Sequence, residues 1–267
     1  MQICSKRFVQ VGLLVFMTIA LAFSAQAATF SKASLKGSYS FLTNLWTANV
    51  NTDEIAMVGV LKFDGAGNVT GSYTSISLGV FQTGTLGGTY TVNSNGTDTI
   101  TFTTGSTAQF VIALESTAAK VAHGVQLLQT NDSNNEIVSG TAVLQSTTTE
   151  TYSVASLKGN FSFQWNLWTA DASQSQASVI GVGSIDGKGT LKDSTTMVLD
   201  GKLQTGTQSG TYTVNPDGSG IISLTDGTQL AFVLNSVAAG QAKGVQFIAN
   251  LSEDIGNSVI TGIALKQ

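Results

Sequence analysis

Hydrophobic and polar residues alternate with a period of two along most of this chain. Between Ser38 and Trp46, Tyr39, Phe41, Thr43 and Leu45 fall on one side, and Ser38, Ser40, Leu42 and Asn44 on the other. Successive side chains of an extended strand point to opposite faces, so this pattern predicts a strand with one apolar face. Leu86, Gly88, Tyr90 and Val92 likewise oppose Thr85, Gly87, Thr89 and Thr91. Segments rich in β-branched and aromatic residues, separated by Gly, Asn and Asp, predict strands near 38–46, 54–63, 68–78, 85–92, 97–103, 107–115, 121–129 and 137–145. No segment carries an amphipathic helical period, and Ser116 to Lys120 fits one turn at most.

The whole pattern occurs twice. Ser34-Leu-Lys-Gly-Ser-Tyr-Ser-Phe41 returns as Ser156-Leu-Lys-Gly-Asn-Phe-Ser-Phe163, an offset of 122 residues that aligns without a gap as far as Phe110 and Phe232. Such self-similarity marks a duplicated structural unit. The units span 28–147 and 148–267 and meet at the polar stretch Ser146 to Ser153. Their length suits ordinary domains. Eight sequential strands with short connections predict an all-β chain of two tandem eight-stranded antiparallel up-and-down β-barrels, since closure removes exposed edges. Two β-sandwiches would use the same alternation. The second strand, Ile55 to Phe63, is apolar on both faces in both copies, which predicts packing between the units or against a partner.

The N-terminus differs from the rest. Lys6 and Arg7 precede an apolar run from Phe8 to Phe23, and Ala25-Gln-Ala27 follows. That order predicts a signal peptide over 1–27, cleaved near Ala27, and hence a secreted or periplasmic protein. A retained anchor is the rival reading, against which stands the shortness of the apolar run. The single cysteine, Cys4, lies inside this leader, so the mature chain has no disulfide and relies on core burial. Twelve Lys and Arg, less Lys6 and Arg7, leave ten against sixteen Asp and Glu, a formal −6. A sparse acidic surface without a basic run argues against nucleic acid or anionic lipid as a partner.

Candidate chemistry is thin. Asp64-Gly-Ala-Gly67 and Asp186-Gly-Lys-Gly189 read as hairpin turns, in which Gly accepts positive φ and Asp bonds the local backbone. Calcium would require several alternating oxygen ligands, and one carboxylate per motif is kept. The paired features that suggest binding are Asn44 with Trp46 and Asn166 with Trp168, an amide beside a ring at a strand end. A packing role for both is the plainer account. Gln126 and Gln246 are retained as well, as are Gln82 and Gln204. The sole histidine, His123, aligns with Lys243, which excludes a duplicated His-based triad or metal site. Among the carboxylates only Asp64 and Asp186 recur, so a glycosidase pair is not duplicated either. The Gly-rich loops match neither phosphate-binding signature, and no cofactor is implied.

Ala33-Ser-Leu-Lys-Gly-Ser-Tyr-Ser-Phe41 and Phe63-Asp-Gly-Ala-Gly-Asn-Val-Thr70 resemble uncharacterised secreted bacterial β-repeat proteins with ASLKG-x-Y-x-F and DG-x-G-N elements. That resemblance implies an exported bacterial protein and no particular activity. Gly37-Ser-Tyr39 and Asp64 to Tyr73 are also similar to avidin-type, calycin-like barrels, which implies the barrel architecture. The second copy departs from that pattern, with Asp193-Ser-Thr195 in place of Gly71-Ser-Tyr73.

These readings lead to a secreted, non-enzymatic tandem barrel that binds a small molecule or glycan, or serves as an envelope or matrix component. One alternative is a sixteen-stranded outer-membrane barrel, which the alternation permits. Another is an enzyme using one diverged copy, with Asp53, Glu54 or His123 as its residues.

Overall fold

The computed structural model describes residues 29–47, 55–77, 79–115, 117–118, 120–131, 136–148, 150–169, 177–250 and 258–267; within these, the side chains of 46–47, 117–118, 136, 168–169, 250 and 258 are not described. The leader and the pair Asp53 and Glu54 lie outside the described residues.

Antiparallel pairing between successive strands builds the first barrel. Its strands are β1 (Lys36–Thr47), β2 (Ala56–Asp64), β3 (Asn68–Ser77), β4 (Val80–Tyr90), β5 (Thr97–Thr104), β6 (Gln109–Leu114), β9 (Gly124–Gln129) and β10 (Glu136–Ser146), with β10 returning to pair with β1. A separate two-stranded hairpin, β7 (Thr117–Ala118) with β8 (Val121–Ala122), sits where the sequence allowed one turn. The second barrel comprises β11 (Lys158–Thr169), β12 (Ala177–Asp186), β13 (Thr190–Leu199), β14 (Lys202–Val214), β15 (Ser219–Leu224), β16 (Gln229–Asn235), β17 (Gly244–Asn250) and β18 (Ser258–Lys266), closed by β18 against β11. Each set of eight closes on itself, so the strands do not form one sixteen-stranded wall. Among the described residues no helix is long and apolar enough to cross a membrane.

Inward positions of the alternation form the cores. In the first barrel Tyr39, Phe41, Leu61, Phe63, Tyr90, Ile100 and Phe110 make one buried cluster. Phe63 meets the edges of Tyr39 and Tyr90 at centroid distances of 5.4 and 5.1 Å, the edge-to-face geometry that ring quadrupoles favour. One end of each barrel is stoppered by a 3-10 turn, Lys32–Ser34 or Val154–Ser156, which the period-two pattern did not predict. Tyr90 Oη lies 2.9 Å from the Leu35 carbonyl oxygen, and Tyr212 Oη lies 2.9 Å from that of Leu157. These bonds satisfy buried carbonyls that the short turns leave unpaired.

Strand register corrects the alignment of the copies. Ile100 pairs with Phe110, whereas its counterpart Ile222 pairs with Leu230. Phe110 therefore matches Leu230 rather than Phe232, and the two-residue difference lies in the turn before β6 and β16. A shift of two residues leaves every side chain on the same face, so hydrophobic alternation alone could not locate it.

The barrels are joined by an apolar contact. Outward residues Ala56, Val58, Val60 and Ile76 of the first pack on Ala231, Val233, Ile248 and Val259 of the second. Gln145 Nε2 donates to the Leu234 carbonyl at 2.7 Å, Ser72 Oγ donates to Asp217 Oδ2 at 2.9 Å, and the Ser236 N–H donates to Leu144 O at 3.0 Å. The double-faced second strand is accounted for in the first copy. In the second copy the corresponding residues, Ile180 and Val182 on β12, are exposed.

Candidate functional site in the second barrel

The two interiors differ. The interior of the second barrel holds a cavity of about 510 Å³, whereas a cavity among the core residues of the first is about 170 Å³. The difference follows from inward positions that lost bulk. Leu61 is matched by Gly183, Tyr73 by Thr195, Phe102 by Leu224 and Phe110 by Leu230. Tyr73 packs against the first core, and across the strand it covers Gly84. Thr195 opposite Gly206 fills far less, and a Cβ built at Gly206 would meet only Thr195 Oγ1, at 3.5 Å. Trp165 and Phe247, in place of Thr43 and Leu127, return some of that volume.

Trp165, Val179, Met197, Leu199, Ile222 and Leu230 give the cavity an apolar lining. One sector is polar. Asp193 lies on the inward row of β13, between Leu191 and Thr195, and its Oδ1 accepts the Gln208 N–H at 3.1 Å. Gln208 Nε2 donates to Asp226 Oδ2 at 2.6 Å, and Asp226 Oδ1 accepts the Thr228 N–H at 2.9 Å. Burial pushes the Asp193 carboxyl above its ordinary pKa against the pull of the Gln208 N–H, and the Asp226 carboxylate pushes it the same way as burial. The first barrel has Gly71, Leu86 and Thr104 at these three positions, so this polar sector belongs to one copy. A pocket of this size, apolar with a few convergent polar groups, is the common form of a small-molecule site.

The residues singled out from the sequence lie elsewhere. Asn44 and Gln246 are in the contact between barrels. Asn44 Nδ2 is 3.5 Å from Thr261 Oγ1, and Gln246 Nε2 donates to Thr141 Oγ1 at 3.1 Å. Asn166 is on the outer wall, its Oδ1 accepting from Ser178 Oγ at 2.9 Å, and Gln126 donates to Glu115 at the surface. Trp46 and Trp168 pair through their backbones with Ile137 and Val259; their side chains lie outside the described part of the structure. None of the four described side chains lines the cavity, whereas Gln204 does. His123 is exposed.

The Asp-Gly motifs are hairpin turns, as the sequence predicted. Asp64 Oδ1 accepts the N–H groups of Ala66, Gly67 and Asn68 at 2.7–3.0 Å. Asp186 Oδ1 accepts those of Lys188 and Thr190 at 2.7 and 3.0 Å. Backbone and side-chain bonds from Asn68 hold the Asp64 carboxyl well below its ordinary pKa; those from Thr190 lower Asp186 to about 2.

Comparison with known proteins does not extend this picture. No protein family matches the chain, and no curated protein does. Among solved structures it is similar to a protein of unknown function from the DUF3598 family of Nostoc punctiforme, at 14% identity over 88% of this chain and 98% of that one, with a TM-score of 0.28. Kievitone hydratase from Nectria haematococca matches at 7% identity over 91% and 92% of the two chains, also at 0.28. A putative AttH from Nitrosomonas europaea matches at 9% over 87% and 92%, again at 0.28.

Proposed function

We propose that this is an exported, non-enzymatic binding protein whose second barrel holds a small apolar molecule ending in an amine or hydroxyl. The observation that carries the reading is the cavity of about 510 Å³ with Asp193, Gln208 and Asp226 gathered on one side. Apolar surface drives entry, and about 25 cal/mol is gained per Å² removed from water. The carboxylate of Asp193, desolvated beside Asp226, is offset by a donor or a positive charge on the ligand. Export is supported by Lys6 and Arg7, the apolar run and Ala25-Gln-Ala27, and N-terminal sequencing of the mature protein should begin close to Ala28.

Binding is tested with N-phenyl-1-naphthylamine, an apolar probe that brightens when it leaves water. Dodecylamine should displace it at lower concentration than dodecanoate does, and Asp193→Asn should remove that preference. Equal displacement by the two, or a preference untouched in the Asn variant, would contradict the assignment of Asp193 as the polar anchor.

A further inference from the structure

The duplication reaches the outer walls as well as the interiors, and it leaves two halves of one contact unmatched. In the first barrel, Val58, Val60 and Ile76 on the β2–β3 sector are at most 1% exposed because the second barrel covers them. Their counterparts in the second barrel are Ile180, Val182 and Val198, which are 59%, 42% and 44% exposed. Beside them Leu203, the counterpart of Phe81, is 72% exposed. The complementary sector shows the reverse. Ala231, Val233 and Ile248 on β16 and β17 are buried against the first barrel. By strand register they match Val111, Ala113 and Leu128 on β6 and β9. Val111 and Leu128 are 42% and 48% exposed, and they face each other across the β6–β9 pairing.

We propose that the protein assembles head to tail with further copies of itself, the β12–β13 sector of one second barrel docking on the β6–β9 sector of another copy's first barrel. The occupant is set by continuity with the contact inside the chain. Each open sector is the repeat of a sector already buried there, and each keeps aliphatic residues at the matching positions. Within a barrel the two sectors lie on different strands, so both contacts form at once. Contiguous aliphatic side chains on an outer wall are the ordinary mark of such an interface. Joining unlike faces makes the contact heterologous, so it continues into a ring or a filament rather than stopping at a dimer.

The docking between copies is weaker than the one inside the chain. Gln164 stands where Leu42 stood and Thr99 stands for Ile221, while Ile137 keeps an aliphatic side chain at the position of Val259. The link between the barrels also gives the internal contact a high effective concentration, which separate copies lack. Assembly therefore depends on protein concentration.

Sedimentation velocity of the purified mature protein over a wide concentration range tests this. The mean mass should rise past that of a dimer. Ile180→Asp with Val198→Asp, and separately Val111→Asp with Leu128→Asp, should each give monomers with unchanged circular dichroism and melting temperature. Mixed in equal amounts, the two variants should form a one-to-one dimer and nothing larger, since each keeps one working face. A wild type that stays monomeric at millimolar concentration overturns the proposal. So does a mixture that stays monomeric. Dimers of the Val111/Leu128 variant by itself would show that the second-barrel face pairs with its own copy, and would overturn it too.

Discussion

The ring of Tyr73 lies across Gly84 inside the first barrel, so close that a Cβ at residue 84 would stand 2.6 Å from the ring Cζ and hydroxyl oxygen. In the second barrel the same cross-strand pair is Thr195 and Gly206, and the ring has no counterpart. That single relationship, with Leu61 against Gly183 beside it, separates a filled barrel from a hollow one on the same frame. The two copies share one scaffold, and the smaller inward side chains of the second leave a cavity there.

Filling the hollow barrel should stabilise it. A Cβ at Gly183 has as its nearest atoms Lys192 O and Phe163 Cε1, both at 3.9 Å, so a side chain enters without a clash at its root. Gly183→Leu restores the residue of the first copy. It should raise stability by about 1–2 kcal/mol in urea denaturation, the range of cavity-filling changes, while weakening probe binding.

Asp193 should show the opposite exchange between stability and function. Its carboxyl is raised in the folded protein, so the folded state binds protons more readily than the unfolded one. Stability then falls as pH rises from the ordinary 3.8 through the folded pKa, and at neutral pH the ionised group opposes folding. Asp193→Asn should raise the melting temperature of the unliganded protein at pH 7 and flatten its pH dependence. A lower melting temperature at pH 7 would mean that the carboxylate is held by the fold rather than kept for a ligand.

The turn carboxylates act in the other direction. Asp186 is lowered to about 2 and Asp64 further, so their contribution is present above 3.8 and lost as pH falls from there through the folded values. Asp64→Asn with Asp186→Asn should therefore narrow the loss of stability between pH 4 and 2, followed by tryptophan fluorescence during acid titration.

Removal of a stopper bond should cost each barrel a similar amount. Tyr212→Phe leaves the Leu157 carbonyl without its partner at 2.9 Å, and Tyr90→Phe does the same to Leu35. Each should lower stability by about 1–3 kcal/mol, as expected for a buried acceptor left unpaired. Equal losses in the two variants would mark the stoppers as equivalent.

Much of the fold was legible because a period of two is read directly from side-chain chemistry. Eight strand segments per copy follow from it, the turns at Asp64 and Asp186 follow from their Asp-Gly pairs, and barrel closure rests on the short connections, since a sandwich would share the alternation. The 3-10 stoppers were not legible, since three residues such as Lys32 to Ser34 are too short to show any period. The site escaped for a different reason. Retention in both copies points to Asn44, Gln126 and their counterparts, whereas Asp193, Gln208 and Asp226 occur in only one. Two signals were present in the sequence. Asp193 interrupts the inward row Leu191, Thr195, Met197, and Asp193-Ser-Thr195 is where the second copy departs from Gly71-Ser-Tyr73. A carboxylate on an apolar face and the loss of a tyrosine opposite glycine are together the outline of a pocket. By contrast, Asn44 and Gln246 recur in both copies and lie in the contact between barrels.

The most direct measurement is the stoichiometry of N-phenyl-1-naphthylamine binding in three forms of the protein. The wild type should bind one probe per chain, in the second barrel. Gly183→Leu with Thr195→Tyr gives that barrel the filling of the first and should bind none. Leu61→Gly with Tyr73→Thr hollows the first barrel and should bind two, provided circular dichroism shows it folded. Unchanged stoichiometry in the filled variant would place the probe outside the cavity and contradict the account.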